Sequence, residues 1–187
     1  TIEALKLSAS GETEPIIEIV PAQIITRKRR EKVKASNGVI TPDTERDILK
    51  LVVVERHRAT GNIGIGLVSG FGLKQGALAS SIAHDSHNII AAGTNDKDIF
   101  TAIKEIERLQ GGLVATAGGK ILASLALPIA GILSDEPLET VVSKLERLEQ
   151  IATELGTKLS SPFATLSFLA LPVIPEIRLT DLGVVEV

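Results

Sequence analysis

The chain of 187 residues has a formal net charge of -3, with 44% hydrophobic and 23% charged residues, which is long enough for one sizeable core and too apolar for a disordered polymer. The acidic balance, with a pI near 5.7, removes the general basic field of a nucleic-acid or anionic-membrane binder. Zero cysteines exclude disulfides and thiolate metal sites and carry no signal of an oxidising compartment, so the expectation is one cytoplasmic domain over residues 1–187.

The start, "TIEALKLS", has the mixed polarity of no secretory segment. Residues 14–26, "EPIIEIVPAQIIT", are rich in β-branched side chains, and Pro21 inside the run predicts an edge strand or two short strands. "RKRREKVK" (27–34) holds six basic side chains in eight positions. No aromatic residue interleaves it to stack on bases, so it reads as a solvated hairpin or edge strand whose charges oppose edge-to-edge pairing. Asn37-Gly38 is the pair that type I′ turns favour, and "ILKLVVVERH" (48–57) is the next strand. "IGIGLVSGFG" alternates glycine with branched residues, as in a strand thinned for close backbone approach.

"TNDKDIFTAIKEIERLQGG" predicts the first helix, with Thr94 or Asn95 as N-cap, acids in the first turn and Gly111 at the end. Ile99, Ala102, Ile103, Ile106 and Leu109 form one apolar stripe at helical spacing. "LVATAGGKILASLALP" reads as a hairpin turning at Gly118-Gly119, and 121–133 as a buried strand and turn too short to span a membrane. The second helix is predicted over "SDEPLETVVSKLERLEQIATELG", with Ser134 as cap and a stripe from Leu138 through Leu155. Pro162, Pro172 and Pro175 punctuate a tail of one helical turn and extended segments. These elements predict an α+β fold, an antiparallel or mixed β-sheet covered by two main amphipathic helices.

Methionine, tryptophan and tyrosine are also absent, so Ile, Leu, Val and Ala must fill the core. An engineered, reduced-alphabet chain whose property is folding and self-association would account for that composition. Among motifs, a dinucleotide fingerprint fails because Ser69 stands where the third glycine belongs, and "GGK" lacks the remainder of a P-loop. "IAHDSHNII" (82–90) concentrates the chemistry. Its His84, Asp85, Ser86, His87 and Asn88 are candidates for a supporting site loop, and the two histidines with His57 are candidate metal ligands. A polar loop at a sheet edge, with Asp85, Ser86 and Asn88 bonding the local backbone, is the competing reading. Ser86 between two histidines lacks the pattern of a nucleophile elbow.

"ERDILKLVVVERHRATGNIGIGLVSGFGLKQGALASSIAHDSHNIIAAGTND", "LPIAGILSDEP" and "PFATLSFLALPVIPEIRLTDLG" resemble, in order and spacing, the C-terminal domain of bacterial and archaeal adenine deaminases of the metal-dependent amidohydrolase type. Positions where that family often shows methionine hold Leu133 and Ala164. The resemblance implies an accessory domain of an enzyme that converts adenine to hypoxanthine and ammonia. It implies manganese or iron held in a (β/α)₈ barrel placed before this domain, whose H-x-H ligand motif does not occur here, so no cofactor is expected in this chain. The barrel in cis and a homo-oligomer are the implied partners, with no nucleic acid and no membrane, and the "HDSHN" loop is implied to face the barrel. Two readings of other classes stand beside it: the self-associating structural domain, and a small metal- or ligand-binding module using His57, His84 and His87.

Overall fold

The computed structural model describes residues 1–187. After a 3-10 helix (Ile2–Leu5) come β1 (Glu14–Ile19), β2 (Thr26–Glu31), β3 (Ala35–Ser36), β4 (Val39–Ile40), β5 (Ile48–Val54), β6 (Ile63–Ser69), β7 (Ala77–Ser80) and β8 (Ile89–Gly93). Then follow α1 (Asp96–Leu109), β9 (Gly112–Ala117), β10 (Lys120–Ala126), α2 (Leu138–Glu154), α3 (Pro162–Phe168), β11 (Ile177–Thr180) and β12 (Gly183–Glu186). Eight strands form one sheet in the order β10-β9-β7-β8-β5-β6-β1-β2. Only β1 and β6 pair in parallel, and every other neighbouring pair is antiparallel, so the sheet is mixed and the α+β expectation holds.

Alternation along the central strands divides the core in two. Val52, Ala79 and Ala91 face α1, whose Ile99, Ala102 and Ile106 fill that side. Leu51, Leu78 and Ile90 face the other way, against Leu148 and Ile151 of α2, Phe163 and Leu166 of α3, and Ile177 and Leu179 of β11. Both faces of β5 are therefore buried, which is why its sequence is a continuous apolar run. The exception, Lys50, is 1% exposed; its ammonium donates to the Leu5 carbonyl at 2.8 Å and pairs with Asp96, tying the 3-10 helix to the start of α1. Asn95 is the N-cap of α1, its Oδ1 accepting from the Asp98 amide at 2.9 Å.

The charged segment is the edge strand β2, so its row of arginines and lysine guards an open edge as expected. Asn37 and Gly38 both have positive φ, at 51° and 77°, and so do Gly118 and Gly119, as type I′ turns demand.

Four expectations are corrected. Residues 14–26 split at Pro21, but β1 is an interior strand between β6 and β2; Ile17 and Ile19 join the main core while Ile16, on the other face, joins a smaller cluster. The apolar segment 121–133 is buried only in part: Leu125 and Leu127 join the core, but β10 is the second sheet edge, with Ile121 and Leu122 exposed, because nothing pairs with its outer side. Ser134 does not cap α2. Its Oγ accepts from the Glu136 amide at 3.2 Å, the helix begins at Leu138 after Pro137, and Leu138 and Val142 of the stripe are exposed. The "HDSHN" loop joins β7 to β8, central strands rather than an edge.

The alternating glycines of β6 serve the close approach that their pattern predicts. A Cβ on Gly64 would lie 1.8 Å from the Thr180 carbonyl oxygen, and one on Gly66 would touch Leu179 and Val184 at 3.3 and 3.4 Å. The β11–β12 hairpin thus lies directly on the backbone of β6. Gly64→Ala must push this hairpin away or bend the strand, and should cost about 2–4 kcal/mol in chemical denaturation, with Gly66→Ala costing less.

Candidate functional site

Ser81 to Asn88 bridge two fully buried strands at one end of the sheet, so the loop inherits a rigid base. It is held chiefly by distant parts of the chain. The His84 amide donates to the Ser167 carbonyl at 3.1 Å, and the His84 ring stacks at a tilt against Phe168 with centroids 4.8 Å apart. The His87 amide closes the turn onto the Ala83 carbonyl at 2.6 Å, and His87 sits in the left-handed region at φ 49°. The two imidazoles meet edge to face at 5.7 Å.

From the end of β5, Arg56 and His57 reach the same loop. Arg56 Nε donates to the His87 carbonyl at 2.6 Å and Nη2 to the Ala130 carbonyl at 2.7 Å, while His57 Nε2 lies 2.7 Å from the Ser86 carbonyl. Glu55 organises that segment by accepting from the amides of Thr60 at 3.0 Å, Arg58 at 2.7 Å and His57, and these bonds hold its carboxyl at about 2, well below the ordinary range. On the other side, Asp181, in the β11–β12 turn, accepts from Asn88 Nδ2 at 3.3 Å and Asn62 Nδ2 at 3.1 Å. Asn88 is buried, and its partner lies 93 positions away, so the local-backbone reading fails for this residue. It survives for Ser86, whose Oγ accepts from the Asn88 amide at 3.4 Å.

The structure thus gathers His57, His84, His87, Asp85, Ser86 and Asn88 around one loop, and adds Arg56, Asn62, Phe168 and Asp181. No motif marks these additions in the sequence; Arg56 had only its place beside His57, and Asp181 only its place in a turn. Ser86 meets His57 through its carbonyl rather than its hydroxyl, which is not the geometry of an activated nucleophile. Nor do the residues fit a divalent-metal centre. His57 Nε2 is engaged with a carbonyl, and no group of three or more His, Asp or Glu side chains converges anywhere in the chain.

Burial is the main reason the His87 pKa falls below its ordinary 6.5, followed by the charges of His84 and Arg56, with Asp85 opposing them and His57 adding to them. His87 Nδ1 and Asn88 Oδ1 are both buried without a hydrogen-bond partner. Neutral imidazole is the form this setting favours, able to donate at one nitrogen and accept at the other.

Two expectations follow. Because the unfolded chain binds the His87 proton more readily than the folded one, stability contributed here is complete above pH 6.5 and is lost as the pH falls toward the folded midpoint. Histidine NMR titration should place the His87 midpoint below 6.5, and His87→Asn, which suits the left-handed backbone, should flatten stability against pH in that window. Asp181→Ala strands the buried Asn88 amide and should cost about 1–3 kcal/mol by denaturation, with Asn88 backbone exchange accelerated.

The comparisons bear on what this loop belongs to. The family described as adenine deaminase C-terminal domain matches residues 23–187. An adenine deaminase of Dehalococcoides mccartyi is 60% identical over 186 residues, covering 100% of this chain and 33% of the relative. Adenine deaminase 2 of Carboxydothermus hydrogenoformans is 50% identical, with 99% of the chain and 33% of the relative covered. The archaeal adenine deaminase of Methanothrix thermoacetophila is 49% identical, with 100% and 33% covered. The chain therefore spans about a third of the length of these relatives, in which the matched segment is part of a longer polypeptide. With seven of the eight sheet strands and the whole loop network inside the matched residues, the chain belongs to the adenine deaminase C-terminal domain family.

Proposed function

We propose that this chain is the accessory C-terminal portion of an adenine deaminase, in which adenine and water become hypoxanthine and ammonia, and that it performs no deamination alone. The observation that carries the reading is the end-to-end match, at 60% identity, to one third of an adenine deaminase. The metal, manganese or iron, and the barrel that binds it belong to the remaining length of such an enzyme. Cytoplasmic residence and self-association are part of the same reading; no helix here is long and apolar enough to cross a membrane.

In this role the His84–Asn88 loop closes against the mouth of the barrel. A loop fixed on a rigid sheet and pinned from several sides can present polar groups with little loss of entropy on docking. His84 and His87 offer imidazoles, the latter held neutral by burial, and exposed Asp85 and Ser86 offer acceptors beside them. Water exclusion and positioning are what such a loop supplies, since a site shielded from solvent strengthens every polar contact within it.

Purified chain given adenine and manganese should release no hypoxanthine above a no-protein control. Added to the first two thirds of the Dehalococcoides mccartyi enzyme, it should raise ammonia release, and His87→Asn, which suits the left-handed backbone, should lower that gain about tenfold or more. Turnover by the chain alone, or no gain with the added polypeptide, would refute the reading.

A further inference from the structure

Four exposed apolar side chains fall between residues 129 and 142, beside others at Ile24, Val173 and Leu182. Ile129 and Leu133, on the turn after β10, are 50% and 58% exposed, and Leu138 and Val142, in the first turns of α2, are 72% and 45% exposed. Leu138 and Val142 are four residues apart and share one helical face. Val141 and Leu145 cover the core from a neighbouring face, so this part of α2 is apolar both inward and outward. A helix that is apolar on its solvent side is covered by something in its working state.

The turn is continuous with the polar loop. Arg56 bonds the Ala130 carbonyl and the His87 carbonyl with one guanidinium, and Ser81 Oγ donates to the Gly131 carbonyl at 2.5 Å. A Cβ on Gly131 would lie 2.3 Å from Arg56 Nη2, so turn and clamp are in direct contact. The 129–133 turn is thus joined to the His84–Asn88 loop through Arg56. Asp135 and Glu139, exposed on the border of this surface, have no ion-pair partner and would face basic groups. The opposite end of the sheet is different, since β2 presents a charged edge.

We infer that Leu133, Leu138 and Val142, together with the 129–133 turn, form the docking surface for the remaining two thirds of the adenine deaminase polypeptide. The inference rests on the accessory-domain reading and adds to it the surface through which that role is exerted. The relatives carry about twice this chain's length beyond the matched third. A body tethered in the same polypeptide has an effective concentration of roughly millimolar, so it outcompetes a free second copy for the apolar face.

The test measures binding of the intact chain to the first two thirds of the Dehalococcoides mccartyi enzyme by calorimetry, with ammonia release from adenine read in the same mixtures. Leu133→Glu and Leu138→Glu alter exposed positions and should leave thermal unfolding unchanged. Each should weaken binding about tenfold or more, while Ile24→Glu, by the opposite sheet edge and 54% exposed, should not. Binding and turnover that all three variants support as well as the parent would overturn the docking surface and leave the accessory role standing. Failure of the parent chain to bind would remove the accessory role itself and the docking surface with it. A dimer of the chain alone that Leu138→Glu dissolves in light scattering would assign the surface to a second copy and overturn the inference.

Discussion

The contact between the Thr180 carbonyl and the bare Cα of Gly64 sets the position of most of what surrounds the polar loop. A side chain at Gly64 would lift the β11–β12 hairpin away from β6. That hairpin carries Asp181, which accepts from Asn62 and Asn88 and so joins the start of β6 to the end of the β7–β8 loop. Backbone proximity, an absence of atoms, thus becomes a hydrogen-bonded frame around His84 and His87. Ile177 and Leu179 of the same hairpin extend the core beneath it, so the apolar and polar roles of this short element are inseparable.

Cations and carbonyls dominate the other side of the loop. Arg56 spends its guanidinium on main-chain carbonyls rather than on a carboxylate, which fixes the backbone of two neighbouring turns without neutralising the charge. Burial first, and then the positive charge beside it, disfavours a proton on the His87 imidazole and lowers its pKa. Glu55 compensates nearby by collecting amides, so the segment carrying Arg56 and His57 is itself preorganised. The donors around this loop do not converge as water-activating metal ligands must.

The two outer strands of the sheet differ in their side chains. At β2 the edge is guarded by arginine and lysine, which repel a second strand. At β10 the edge and the adjoining α2 start are apolar and open.

Local patterns in the chain were enough to determine the element types: the Asn95 cap and the stripe of α1, the left-handed turns at Asn37-Gly38 and Gly118-Gly119, the guarding charges of β2 and the thinned strand β6 all depend on neighbours within a few residues. The ordered motif strings were also enough to point to the family. Tertiary structure alone decided that β1 lies inside the sheet, that β10 is an open edge and that the first turns of α2 overhang the core, because burial depends on which distant strand arrives alongside. It alone brought Arg56, Asp181 and Phe168 to the histidine loop, since hydrogen bonds spanning 31 and 93 positions leave no periodicity in a sequence.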